Sequence, residues 1–284
     1  MIDKPFPTAD AWTAFFIEAC LPVLRHTTHQ LHELRENAMK SNARTIASVI
    51  QHDPLMTLRM LAYIESKRSK SRVTDINTIE RGLMMIGMGP FFRDFENLPL
   101  IEDELKGYPR AMLGLLKVIN RSRKAVQWAH DWALYRHDLD VNEIVVATLL
   151  YDFPEILMWS FAPGLSLKAV EIQQKNSQLR SVMVQTEVFG TPLYEIKQSL
   201  AIAWKLPPLL TALMDPQHAE HPRVRNVKLA VDLARHSANG WSNPAIPDDL
   251  KGISELIHIN EAAVIRKLGL EEFFPIEDQA PEAS

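Results

Sequence analysis

Apolar residues recur along the chain at three- and four-residue spacing between short Pro, Gly and Asp punctuation, with almost no sustained alternation. That period is helical, and strands would need the two-residue alternation that is missing. A first helix is predicted from Pro22 to about Met39, burying Val23, Leu24, Leu31 and Leu34, and a second over Ala43 to Gln51. Asp53-Pro54 restarts a helix, because Asp accepts from the free amides of a first turn and Pro at the first helical position gives up no hydrogen bond. Thr78 to Ile86 forms a short helix closed by Gly87, whose freedom at positive φ suits a C-cap. Pro99 to Tyr108 reads as loop, and Pro109 opens a long pattern through Leu113, Leu116, Ile119, Val126, Trp128 and Leu134. Further helices are expected over Leu139–Trp159, Ser166–Phe189, Leu193–Lys205, Pro207–Met214, Arg223–Ala238 and Asn260–Leu268. The fold class is therefore all-α: an N-terminal helical subdomain over 1–105, a second over 106–275, and a disordered acidic tail at 276–284.

Composition narrows the setting. A chain of 284 residues with 46% hydrophobic content can fill one large core or two smaller ones unaided. Its single cysteine, Cys20, excludes an intramolecular disulfide, and the N-terminus lacks a basic region followed by an apolar run, so a cytoplasmic location is expected. The most apolar stretch, around Val141–Phe161, is interrupted by Asn142, Glu143, Asp152 and Glu155, so no membrane crossing is expected. A net charge of −4 with pI near 6.2 gives no global pull toward nucleic acid. The basic run Lys67–Arg72 has no interleaved aromatic, and His26, His29 and His32 drift around a helix surface at a spacing of three instead of converging. Neither a phosphate-cradling Gly-rich loop nor a Gly-x-Ser-x-Gly elbow occurs.

Several segments form a pattern in order: Asp53-Pro54; Ile76 to Gly87; Trp128-Ala129-His130; Ala147 to Leu157 with Tyr151-Asp152; and Glu187–Gly190 continuing to Trp204-Lys205-Leu206-Pro207 and Gln217-His218. Together, over roughly 20–235, they resemble the HDOD family, a branch of the HD-domain superfamily. The resemblance implies an HD-like multi-helical bundle with an additional N-terminal helical part. In the parent superfamily, His and Asp ligands hold one or two metal ions whose activated water hydrolyses phosphate esters. By position, His130 matches the first His, Asp152 the Asp of the His-Asp pair, and His218 one His of the later pair. Tyr151 stands where the paired His belongs, Pro192 or Leu193 where another His would fall, Gln217 in place of the first of the later pair, and Val231 in place of a final Asp beside Asp232. Loss of the histidine at 151 removes a central donor, so no cofactor is expected; a divalent metal, if bound, would fall to His130, Asp152 and His218.

The retained residues also have structural explanations. His130, between Trp128 and Trp132, reads as a buried imidazole bonded to backbone, and Asp152, in an apolar stretch, needs donors such as His130, His218 or a backbone amide. The expected function is thus a non-catalytic signal-transduction module that binds a signalling protein in trans, or a nucleotide or other small ligand, with His130, Tyr151, Asp152, Glu187, Gln217 and His218 as pocket candidates. The alternative is a metal-dependent phosphohydrolase with a remodelled HD site, favoured if Tyr151, Glu155 or Glu187 points into a cleft beside Asp152 and His130.

Overall fold

A computed structural model describes residues 1–37, 39, 41–67, 77–176 and 178–275. The basic segment beyond Lys67 and the acidic tail after 275 lie outside the described residues. The chain winds through α1 (Ala9–Glu18), α2 (Arg25–Glu36), α3 (Ala43–Ile50), α4 (Pro54–Lys67), α5 (Ile79–Ile86), α6 (Met88–Asp94) and α7 (Ile101–Glu104). It continues through α8 (Pro109–Tyr135), α9 (Val141–Leu150), α10 (Phe153–Phe161), α11 (Pro163–Lys175), α12 (Ser181–Phe189), α13 (Leu193–Ala203) and α14 (Pro208–Leu213). The last helices are α15 (Pro222–His236), α16 (Ile246–Ile257) and α17 (Glu261–Leu268). Among the described residues the only strand-like pairing is an isolated bridge between Val23 and Leu100, so the all-α reading holds.

Asp53 starts α4 as its position before Pro54 predicts. Its Oδ1 accepts from the amides of Leu55 and Met56 at 2.9 and 3.1 Å. Its Oδ2 accepts from the Leu24 amide and the Thr27 hydroxyl, both at 2.9 Å, so one buried carboxylate caps α4 and fixes the start of α2. Thr78 caps α5, and Gly87 closes it at φ 89°.

Helix α8, 27 residues and about 40 Å long, is the spine. Its inward stripe, from Ala111 and Leu115 through Ile119, Ser122, Ala125 and Ala129 to Trp132 and Ala133, packs against α9, α10, α11 and α15. Several of these side chains are small, which lets the neighbouring helices approach closely. The buried apolar cluster runs without interruption past residue 105, where Leu105 itself is buried. Helix α1 packs on α13, far along the chain: the Trp12 indole donates to the Phe189 carbonyl at 2.8 Å, and Phe16 lies edge-on to Phe161.

Several sequence expectations change. The helix expected from Pro22 begins at Arg25, with Val23 in the bridge to Leu100, and the loop expected over Pro99–Tyr108 contains α7. The single helix expected over Leu139–Trp159 is two, because Pro154 has no N–H to donate to the Leu150 carbonyl and the ladder breaks at Tyr151-Asp152. The helix expected from Ser166 starts earlier, with Pro163 as the first residue of α11. The helix expected over Ser166–Phe189 divides after Lys175, where the Asn176 side chain accepts from the Gln178 amide and competes with helical bonding. Helices α1, α6, α7 and α16 were not anticipated, although Thr8 caps α1 through the Ala11 amide at 3.2 Å. By length and composition Val141–Phe161 would reach across a bilayer, yet it is kinked at its centre and mostly buried inside the fold.

Candidate functional site

The break between α9 and α10 places Tyr151 and Asp152 at the meeting point of α8, α13 and α15. Asp152 is 11% exposed and carries two ion pairs: Oδ2 accepts from Arg121 of α8 at 2.8 Å, and Oδ1 accepts from Arg235 of α15 at 2.8 Å. Arg121 also donates to Glu155 at 2.7 Å. Burial alone would push the Asp152 carboxyl up, but Arg235 and Arg121 outweigh it and hold the group down at about 2. Arg121 is likewise burdened by burial and held protonated by Glu155 and Asp152.

Lys197 reaches the same place from α13. It is buried, donates to the Met214 carbonyl at 3.0 Å, and sits 3.9 Å from the centre of the Tyr151 ring. Burial brings its ammonium down to about 8, against the opposing pull of Asp152. Tyr151 is half-buried, and burial followed by the Asp232 charge pushes its phenol upward. These groups line one wall of an open cleft of about 340 Å³, whose other walls are Ser181, Val182 and Gln185 of α12 and Pro192, Leu193 and Tyr194 at the start of α13.

Of the residues expected in the pocket, only Tyr151 and Asp152 line this cleft. His130 is partly exposed on α8, with its Nδ1 3.4 Å from an Asp131 carboxylate oxygen. That corrects the expectation of a buried imidazole, since the α8 positions turned to the core are its neighbours Ala129, Trp132 and Ala133. Glu187 is exposed on α12. Gln217 and His218 are exposed in the short turn Pro216–His218, where His218 lies 3.3 Å from Asp215 and the Gln217 amide donates to Asp215 at 3.0 Å. Asp152 thus finds its donors in two arginines and not in His130 or His218. Glu155 does join Asp152, but as a second acceptor for Arg121.

The donor set does not fit the divalent metal that the resemblance implies. Both Asp152 oxygens face guanidinium groups, so cations of the chain itself stand against the carboxylate. Among the described residues no three His, Cys, Asp or Glu side chains converge as ligands.

Arg121, Lys197 and Arg235 were not anticipated. Lys197 left a signal: it falls in the buried stripe Leu193, Ile196, Leu200 and Ala201, where a charged side chain must have a reason to be. The two arginines left none, for their partner lies 31 residues away from one and 83 from the other.

The HDOD domain profile matches residues 21–220. Comparison with curated proteins gives no significant match. Among solved structures, the MmoQ response regulator of Methylococcus capsulatus str. Bath is similar with a TM-score of 0.65 at 17% identity, over 87% of this chain and 97% of its own. A virulence factor of Campylobacter jejuni subsp. jejuni is similar with a TM-score of 0.65 at 18% identity, over 93% of this chain and 99% of its own. Both likenesses are of fold.

Proposed function

This chain belongs to the HDOD family, and from that premise we propose that it is a non-catalytic module of signal transduction that acts by binding, either to a signalling protein in trans or to a small ligand. One observation carries the reading: the Asp152 carboxylate is held between Arg121 and Arg235 at 2.8 Å each. A metal-ligating carboxylate needs its lone pairs directed at the ion, and here both oxygens are directed at guanidinium donors in a nearly buried site. Opening that arrangement for a metal would take from Arg121, itself 16% exposed, one of its two carboxylate partners and from Arg235 its ion pair. The fold is retained around a site in which arginines of the chain itself occupy the Asp152 carboxylate. The response-regulator name of one structural relative supports a place in signalling. We place this function in the cytoplasm, away from membranes and nucleic acid, in line with the net charge of −4.

The test is to offer manganese, iron and zinc to the purified protein and its Asp152→Ala variant, then measure bound metal by elemental analysis and hydrolysis of a chromogenic phosphodiester. The expected result is no metal that depends on Asp152 and no turnover. Metal near one equivalent, lost in the variant and accompanied by hydrolysis, would establish the phosphohydrolase alternative instead.

A further inference from the structure

We propose that the cleft between α10, α12 and α13 binds a small organic acid, with Lys197 and Arg235 meeting its carboxylate and Val182, Pro192 and Leu193 covering its apolar body. The inference rests on the reading of the chain as a non-catalytic binding module and names the ligand class of that site.

Charge comes first. Arg121 and Arg235 are ion-paired with Asp152, Arg121 also with Glu155, and Asp232 is paired with Lys228, but Lys197 has no carboxylate within ion-pair distance among the described residues. The charge of Asp215 attracts Lys197 at longer range, its Oδ1 accepting from Tyr194 and from the Gln217 amide. A carboxylate ligand would give Lys197 the direct partner that it lacks.

Hydrogen-bonding capacity points the same way. Lys197 has three N–H groups and gives one to Met214, the ring of Tyr151 lying beneath the ammonium. Arg235, 44% exposed, uses one terminal nitrogen on Asp152, which leaves its other N–H groups to water or to a ligand. Tyr151 lines the same cleft. Gln185 accepts from the Leu193 amide through Oε1, which leaves its Nε2 as a donor. Glu155 and Ser181 add acceptors to the lining, and beside them stand the unused donors of Lys197, Arg235 and Gln185, for which an oxyanion is the complementary ligand.

The remaining walls decide what carries the charge. Val182, Pro192, Leu193 and the Tyr194 ring are apolar, and Val182 is 47% exposed. The volume of about 340 Å³ is at the lower end for small-molecule sites. An anionic head on a compact apolar body covers both kinds of wall, and an inorganic ion covers only one.

Benzoate is the probe, with benzamide as its neutral counterpart and inorganic phosphate as an anion without an apolar body. Each is titrated by calorimetry at neutral pH into the full chain and into Lys197→Met, which keeps the buried volume and removes the charge. The expected result is that benzoate binds and raises the Tm of the parent protein, benzamide and phosphate bind at least about tenfold more weakly, and Lys197→Met folds normally but loses roughly ten- to a hundredfold in benzoate affinity. Absence of benzoate binding, equal binding by Lys197→Met, or equal binding of benzamide or phosphate would overturn the inference. The phosphodiester assay separates the two levels: hydrolysis there removes the non-catalytic reading itself, while no hydrolysis together with no benzoate binding removes only the ligand class.

Discussion

Two guanidiniums on one nearly buried carboxylate form a stable set only while every member is present. Removing the charge at Asp152 leaves Arg121 dependent on Glu155 and leaves Arg235 without its ion pair. Asp152→Asn is therefore expected to lower stability by about 3–5 kcal/mol, read from urea denaturation at neutral pH. Lys197 gives a pH signature of opposite character. Its ammonium titrates at about 8 in the folded chain against an ordinary value of 10.5, so between those values the unfolded chain holds the extra proton and stability rises with pH. Denaturation midpoints measured from about pH 7.5 to 9.5 should climb in the parent protein and stay flatter in Lys197→Met; parallel profiles would show that Lys197 is not the group responsible. That Asp152 needs donors was legible from its position in an apolar stretch. Which donors it finds was not, because histidines lay in the segments that form the family pattern while Arg121 and Arg235 meet it only through packing of α8 and α15 on the kink.

At the scale of elements, local chemistry marked the helices whose ends carry strong signals. Asp53 before Pro54, Thr78 and Gly87 around α5, and Asn260 before α17 all act as their residue types predict. The kink after α9 was hidden because apolar residues continue on both sides of it; Asp152 and Glu155 interrupt the apolar run there, but Pro154 is the residue that breaks the helix. Where α8 crosses α10, a Cβ at Gly114 would stand 2.5 Å from the Trp159 ring, which is itself only 5% exposed and has little room to retreat. Gly114→Ala should cost about 1–3 kcal/mol through overpacking, despite the better helix propensity of alanine. A urea midpoint at or above that of the parent protein would mean the ring repacks without strain.

For the molecule as a whole, the apolar core continues past the boundary expected near residue 105, and the first twenty residues belong with its far end. Phe6, Trp12, Phe15, Phe16 and Phe161 form a connected aromatic group, and the amide of Ile2 donates to the Phe161 carbonyl at 2.8 Å. Trp12 and Phe16 are both fully buried. A fragment beginning at Leu21, where the family match starts, would expose the α13 face that they cover. It should show a sharply lower Tm than the full chain, and Trp12→Ala alone should cost about 3–5 kcal/mol in urea denaturation. Nothing in the sequence pairs residue 12 with residue 189, since that contact is settled by the shape of the assembled bundle. The same clasp sets a timetable for the nascent chain. Trp12 emerges early from the ribosome, but its acceptor is 177 residues downstream, so at ordinary elongation rates it waits roughly 10–35 s before a docking surface exists. During that interval a helix of aromatic residues is uncovered, and chaperones that recognise such segments have their opportunity before the fold closes.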